Sequence, residues 1–261
     1  MDWPHDPSLY PPHLQTAVSR GIGLGEGAAY QPWIKTTSFG SKGTCSNFIG
    51  IKIRRPFHFL SSKEATNFLL EERNPENVDI QEQMPIFDIQ TTMRLCAEFG
   101  VEHTHQGRFP TPFTIDFVLT KRIDRRRASF ARSIKTAEDL LKPKVKSRLN
   151  IEYQWSAEVN LDWASVDTRE FTPELLSNLR FIRQWFVDRY EPRPEASARF
   201  AEAFQHGFEL GTPLEELIHK AASRTRLSDG VSLFRYGAWS NLIRVDLRRP
   251  ISLDSSIILV P

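Results

Sequence analysis

Residues 113–135 read FTIDFVLTKRIDRRRASFARSIK, and the fold turns on how this stretch is read. Phe113, Ile115, Phe117 and Leu119 alternate with Thr114, Asp116, Val118 and Thr120, the two-residue period of a pleated strand. A charged, turn-like segment follows from Lys121 to Arg127. A second strand-like run, Ala128 to Lys135, ends on a lysine. An acid in one strand and a lysine closing the next point to a metal-dependent phosphodiesterase. The acid would hold a cation and the lysine would sit beside the attacked phosphate. Phosphodiester hydrolysis needs a positioned water, a cation to neutralise developing charge, and help for the leaving oxygen.

Composition sets the frame around this pair. The 261 residues allow two domains of ordinary size, and 40% hydrophobic with 25% charged residues is usual for a globular chain. No apolar run approaches the ~20 residues that span a bilayer. MDWPHDPSLYPPHLQ lacks the basic head and apolar core of a secretory signal. Cys45 and Cys96 make neither a metal knuckle nor a disulfide framework and read as reduced thiols of a cytoplasmic protein. The net charge is only +2, but basic residues crowd between Lys121 and Arg148, opposed only by Asp124, Glu138 and Asp139. Such a concentration beside an acid site suits a phosphate backbone as ligand, against the plainer reading of a solvated face.

Upstream, residues 14–19 allow a short helix. RGIGLGEG then alternates Gly21, Gly23, Gly25 and Gly27 without a dinucleotide fingerprint. It reads as a mobile loop or as one able to approach a phosphate backbone closely. Tyr30 and Trp33 are anchors, with a strand expected after Trp33. Residues 47–59 read as a strand pair. Ser61 or Ser62 caps a helix whose Ala65, Phe68 and Leu69 share one side. Glu64, in its first turn, either favours the positive helix end or points inward to the sheet. VDIQEQMPIF is a strand in which Glu82 breaks an apolar face. His103 and His105 lack a third metal ligand nearby. After Lys135 come basic helices interrupted by Pro143, then a strand from Val159 to Val166.

From about residue 167 the pattern is helical, with stripes at Leu175, Leu179, Ile182, Phe186 and at Phe200, Ala203, Phe204, Phe208. Thr212 is expected to cap a helix with Pro213 at its first position. Helices ending in strands at Leu242–Leu247 and Ser255–Val260, joined through Arg248 and Arg249, form a winged-helix pattern. The alternative is a helical interaction domain capped by a hairpin. The expected domains are residues 1–166 and 167–261. DNA contacts are expected from Arg125, Arg126, Arg127, Arg132, Lys142, Lys144, Arg248 and Arg249.

Several segments, in order, resemble the TnsA family of transposon endonucleases, members of the PD-(D/E)xK superfamily. They are GIGLGEGAAYQPW, RPFHFLSSKEATNFLLE with Glu64, VDIQEQMPIF with Glu82 and Gln83, FTIDFVL with Asp116, and Lys135. SLFRYGAWSNLIRVDL fits the family's winged-helix-like second domain. The resemblance implies an α/β, restriction-endonuclease-like mixed sheet flanked by helices, followed by a mostly helical winged-helix-like domain. It implies magnesium, with manganese as a substitute, held by Glu64 and Asp116, while Lys135 assists the water. It further implies cutting of the 5′ strands of double-stranded DNA at transposon ends, beside a TnsB-like transposase and a TnsC-like AAA+ regulator. One departure stands out. The family commonly has glutamine two residues before the lysine, and here that residue is Ser133. Serine is expected as an outer ligand, through a bridging water, or to leave the ligand role to the Ile134 carbonyl. Two other readings stay open: a catalytically silent DNA-binding adaptor, or an autonomous restriction-like nuclease.

Overall fold

The computed structural model describes residues 6–36 and 46–260; Cys45 and most of the strand expected after Trp33 fall outside them. The chain divides into two compact units, Met1–Arg169 and Glu170–Pro261.

The first unit opens with α1 (Pro12–Ser19), then β1 (Ser46–Ile49) and β2 (Pro56–Phe59), an antiparallel pair. α2 (Ser62–Arg73) starts where Ser61 Oγ accepts from the Glu64 amide at 3.2 Å, satisfying one of the helix's free N–H groups. There follow β3 (Asn77–Ile86), α3 (Ile89–Glu98), the short strands β4 (His105–Gln106) and β5 (Phe109–Pro110), β6 (Phe113–Ile123) and β7 (Arg126–Lys135). α4 (Ala137–Leu141) and α5 (Pro143–Glu158) lead to β8 (Asp162–Asp167).

β3, β6, β7 and β8 form one mixed sheet in that order. The first three pair antiparallel and β8 runs parallel to β7. A parallel pair needs a long crossover, and α4 with α5 supplies it. Both faces of the sheet are covered. On one side Met84, Ile86, Phe113, Ile115, Val118 and Ala131 pack with Leu95 of α3 and with Ile151 and Trp155 of α5. On the other, Phe68 of α2 lies 4.8 Å ring to ring from Phe59, which reaches Phe117 at 6.2 Å. Each such buried ring is worth about 1.5–3 kcal/mol, and together these rings fix α2 on the sheet. This is a restriction-endonuclease-like arrangement.

Several expectations are corrected. The turn between β6 and β7 is not the whole of Lys121–Arg127 but only Asp124 and Arg125, with φ of 48° and 65°. Two residues at positive φ make the tight turn that matches strand twist, so both strands run on. The glycine-rich loop is not loose; it is laid along β3. Gly27 N donates to Asp79 Oδ2 at 3.1 Å, Gln81 Nε2 to the Gly25 carbonyl at 2.8 Å, and Trp33 N to the Gln83 carbonyl at 3.2 Å. β3 is an edge strand, and this loop covers it.

Glu82 does not interrupt the β3 face as a misfit. It is fully buried and meets Arg55 in a two-pronged pair at 2.9 and 2.6 Å. The Arg55 guanidinium stacks 3.7 Å over the Phe57 ring.

The second unit holds α6 (Pro173–Val187), α7 (Pro194–His206), α8 (Leu214–Thr225) and α9 (Gly230–Trp239). Leu175, Leu179, Ile182, Phe200, Phe204 and Phe234 are buried. The two strands expected after α9 do not form. The segments touch in a single antiparallel bridge, Val245 with Leu259. Backbone groups beside the bridge are taken elsewhere: the Leu242 carbonyl accepts from Gln205 Nε2, Ile243 N donates to the Gly237 carbonyl, and the Ser255 carbonyl accepts from Leu214 N, while Asn178 of α6 fastens the connecting loop at Leu247, Arg249 and Ile251. Thr212 does not cap α8 either. The amides of Leu214 and Glu215 donate to the carbonyls of Ser255 and Leu253, so the returning chain caps the helix.

Candidate active site

Asp116 sits mid-strand in β6, and Lys135 is the last residue of β7. Antiparallel closure brings them together: Lys135 Nζ lies 2.6 Å from Asp116 Oδ2. The same oxygen accepts from the Ile134 amide at 2.7 Å. The lysine therefore carries its charge at the aspartate. Burial works to lower the ammonium's pKa, but Asp116, with help from Glu152 and Glu64, outweighs it and holds Lys135 above its ordinary value.

Glu64 points inward. It is 7% exposed, anchored by Ser61 Oγ at 2.9 Å, the Leu60 amide at 3.1 Å and Gln83 Nε2 at 3.3 Å. Burial, then the nearby Asp116 charge, push its pKa up to about 7. Gln83 is placed by an irregularity. It lies between the paired positions Glu82–Phe117 and Met84–Ile115, hence opposite Asp116, and its φ is 50°. Left-handed backbone at a glutamine costs of order 1 kcal/mol. Here it turns the carbonyl to Trp33 while the side chain serves Glu64.

Ser133 is fully buried and already committed. Its hydroxyl donates to Glu152 Oε2 at 2.6 Å and accepts from Trp163 Nε1 at 3.2 Å. Glu152, from α5, also meets Arg148 at 3.2 Å. Burial lifts the Glu152 carboxyl above its ordinary range, with Arg148 opposing and Asp116 adding to the shift. The sequence reading missed this third carboxylate. A signal existed: Glu152 interrupts a helical stripe of Leu149, Trp155 and Ser156, all buried.

Two hard oxygen donors that repel one another suit a divalent cation keeping most of its shell as water. Glu64 and Asp116 fit that role. Among the described residues no cluster of three or more acids, histidines or cysteines could hold a metal by itself, so the remaining ligands would be water, the Ile134 carbonyl or substrate oxygens. His103 is stacked 4.6 Å from Phe113 and bonded to Thr92, a structural histidine.

The expected DNA contacts are scattered. Arg125 and Arg126 are exposed at the β6–β7 turn, and Arg127 there pairs with Glu26 at 2.8 Å. Arg132 is held by Asp162 at 2.7 Å and Lys142 by Asp139 at 2.7 Å. Lys144 is exposed on α5. In the second unit Arg248 pairs with Glu170 at 3.2 Å, and Arg249 is exposed.

The family model for the TnsA-like endonuclease N-terminal domain matches residues 74–168, which take in the whole four-stranded sheet, Asp116, Lys135 and Glu152. Residues 74–168 are thus similar to TnsA-like endonuclease N-terminal domains. The transposition protein TnsA of transposon Tn7, from Escherichia coli, is 24% identical to this chain over 165 residues. That match covers 63% of this chain and 60% of the relative, so the chain spans less than two thirds of the relative's length. Glu64 lies outside the matched TnsA-like stretch, and its place in the site rests on α2 and the geometry above. No helix among the described residues is long and apolar enough to cross a membrane.

Proposed function

We propose that this chain is a divalent-metal-dependent DNA endonuclease of a cut-and-paste transposition system. The observation that carries the reading is the convergence of Glu64, Asp116 and Lys135 from one helix and two strands, with Lys135 Nζ 2.6 Å from Asp116. The similarity to the Tn7 transposition protein TnsA supplies the context. Glu64 and Asp116 would hold magnesium, with manganese as a substitute. When bound, the cation would lower the pKa of a water and offset charge on the phosphate.

The chain's own residues do the rest. Lys135 stays protonated, so it serves as a fixed positive charge for the phosphate and the attacking oxygen rather than as a base. The Ile134 amide keeps Asp116 oriented. The finer reading is that the protein cuts the 5′ strands at transposon ends, with a TnsB-like transposase acting on the other strand and a TnsC-like AAA+ regulator. The cytoplasm is its proposed place.

The test is strand-specific cleavage of a labelled transposon-end duplex with magnesium, with and without the partner transposase and regulator. Asp116→Ala should abolish 5′-strand cleavage, a loss of at least about a thousandfold, with the fold intact. Wild-type cleavage by that variant would sink the assignment. Cutting by the wild-type protein alone would favour an autonomous nuclease. A second reading, a silent DNA-binding adaptor, is favoured by one observation: the Ser133 hydroxyl is spent on Glu152 and Trp163. Absence of cation binding that depends on Asp116 would select it.

A further inference from the structure

We infer that the end of the β6–β7 hairpin is a DNA arm that enters the major groove about 24 Å from the attacked phosphate. The inference rests on the reading of the Asp116 centre as one that acts on DNA.

The arm is defined by where pairing stops. β3 gives up β6 at Asn77–Lys121, with one further bond from Arg122 N to the Glu76 carbonyl at 2.9 Å. β8 joins β7 only from Phe130 onward. Between these limits the two strands pair with each other alone, through Arg122–Arg127 and Ile123–Arg126, around the turn at Asp124 and Arg125. Residues 122–127 are all exposed.

Composition fits a polyanion. Cross-strand partners share a face, so Arg122 and Arg127 stand together on one side, Ile123 and Arg126 on the other. Four arginines face a single acid, Asp124, within these six positions. Glu26 of the glycine-rich loop takes Arg127, which leaves Arg122, Arg125 and Arg126 with no acidic partner among the described residues. Ile123 is a large apolar side chain held 43% exposed among them. Unpaired edges, three guanidinium groups and one apolar side chain carry no benefit to a folded monomer. A two-stranded ribbon fits the width of the major groove, where arginines reach phosphates and base edges and an apolar side chain meets a thymine methyl.

The strand also sets a distance. Ile123 lies seven residues beyond Asp116 along β6. At ~3.4 Å per residue this is about 24 Å, or roughly seven base pairs along a duplex.

The experiment measures the salt dependence of binding to a fluorescent 40-base-pair transposon-end duplex in EDTA. It compares the full-length protein with Arg122→Ala/Arg125→Ala/Arg126→Ala and with the same three positions changed to lysine. The alanine variant should lose about two to three units of the slope of log K against log salt, and bind roughly tenfold or more weakly at low salt. The lysine variant should keep the slope. A photo-crosslinking residue in place of Ile123 should attach to bases six to eight pairs from the nick. A wild-type slope in the alanine variant, or crosslinks beside the nick, would overturn the arm and leave the nuclease reading standing. Failure of the wild-type protein to bind the duplex even with the partner transposase and regulator present would overturn both.

Discussion

At the scale of the residue, Glu64 is the most informative group. Its unfolded carboxyl releases its proton near the ordinary value of 4.5, whereas the folded one keeps it until about pH 7. Between these values the native state binds more protons, so raising the pH through this window removes stability, and the full cost is felt above it. A shift of this size corresponds to about 3 kcal/mol as an upper bound. Glu64→Gln in EDTA should therefore raise the melting temperature relative to wild type at pH 8.5 and change it little at pH 4.5; an equal effect at both would refute the burial account. Asp116 and Lys135 were legible in the sequence because strand alternation and an antiparallel return fix their meeting. The direction of Glu64 was not, because an acid in a first helical turn satisfies the helix dipole equally well whether it faces water or the sheet. Glu152 was hidden for a different reason: its meaning depends on Ser133, which comes from another element.

At the scale of the element, the glycine-rich loop shows how an unremarkable repeat acquires a structural task. Gly23 has φ of 78°, and a Cβ there would fall 2.4 Å from Pro85 Cγ and 2.8 Å from Phe87. Gly23→Ala should destabilise the first unit by about 2–4 kcal/mol, from left-handed strain and overpacking together. A denaturation midpoint within error of wild type would show that the loop is not bound to β3 as described. Helix α2 and the long strands β3, β6 and β7 of the first unit could be read largely from periodicity, whereas the two-residue strands β4 and β5 could not. The ribbon after α9 could not, because the alternation of Leu242–Leu247 is real but Gln205 of α7 and Gly237 of α9 take the Leu242 carbonyl and the Ile243 amide. The same limit applies to α8, whose cap is supplied by backbone carbonyls of residues 253 and 255 rather than by Thr212.

At the scale of the whole molecule, each unit carries its own buried core, one on Met84, Phe113 and Trp155, the other including Leu179, Phe200 and Phe234. Residues 1–169 and 170–261 expressed separately should each unfold cooperatively, as followed by circular dichroism in denaturant. A gradual, non-cooperative transition in either would show that it borrows its order from the other.

The sheet order has a consequence in time. Lys135 reaches Asp116 only when β7 has closed on β6, and Glu64 gains Gln83 only when β3, from much earlier in the chain, has joined them. These are non-local contacts, and the entropy of closing their loops must be met before any of them is rewarded. A nascent chain halted on the ribosome short of residue 135 can hold folded helices, yet it lacks the Asp116–Lys135 pair. The candidate site is completed late in folding, with the last strands.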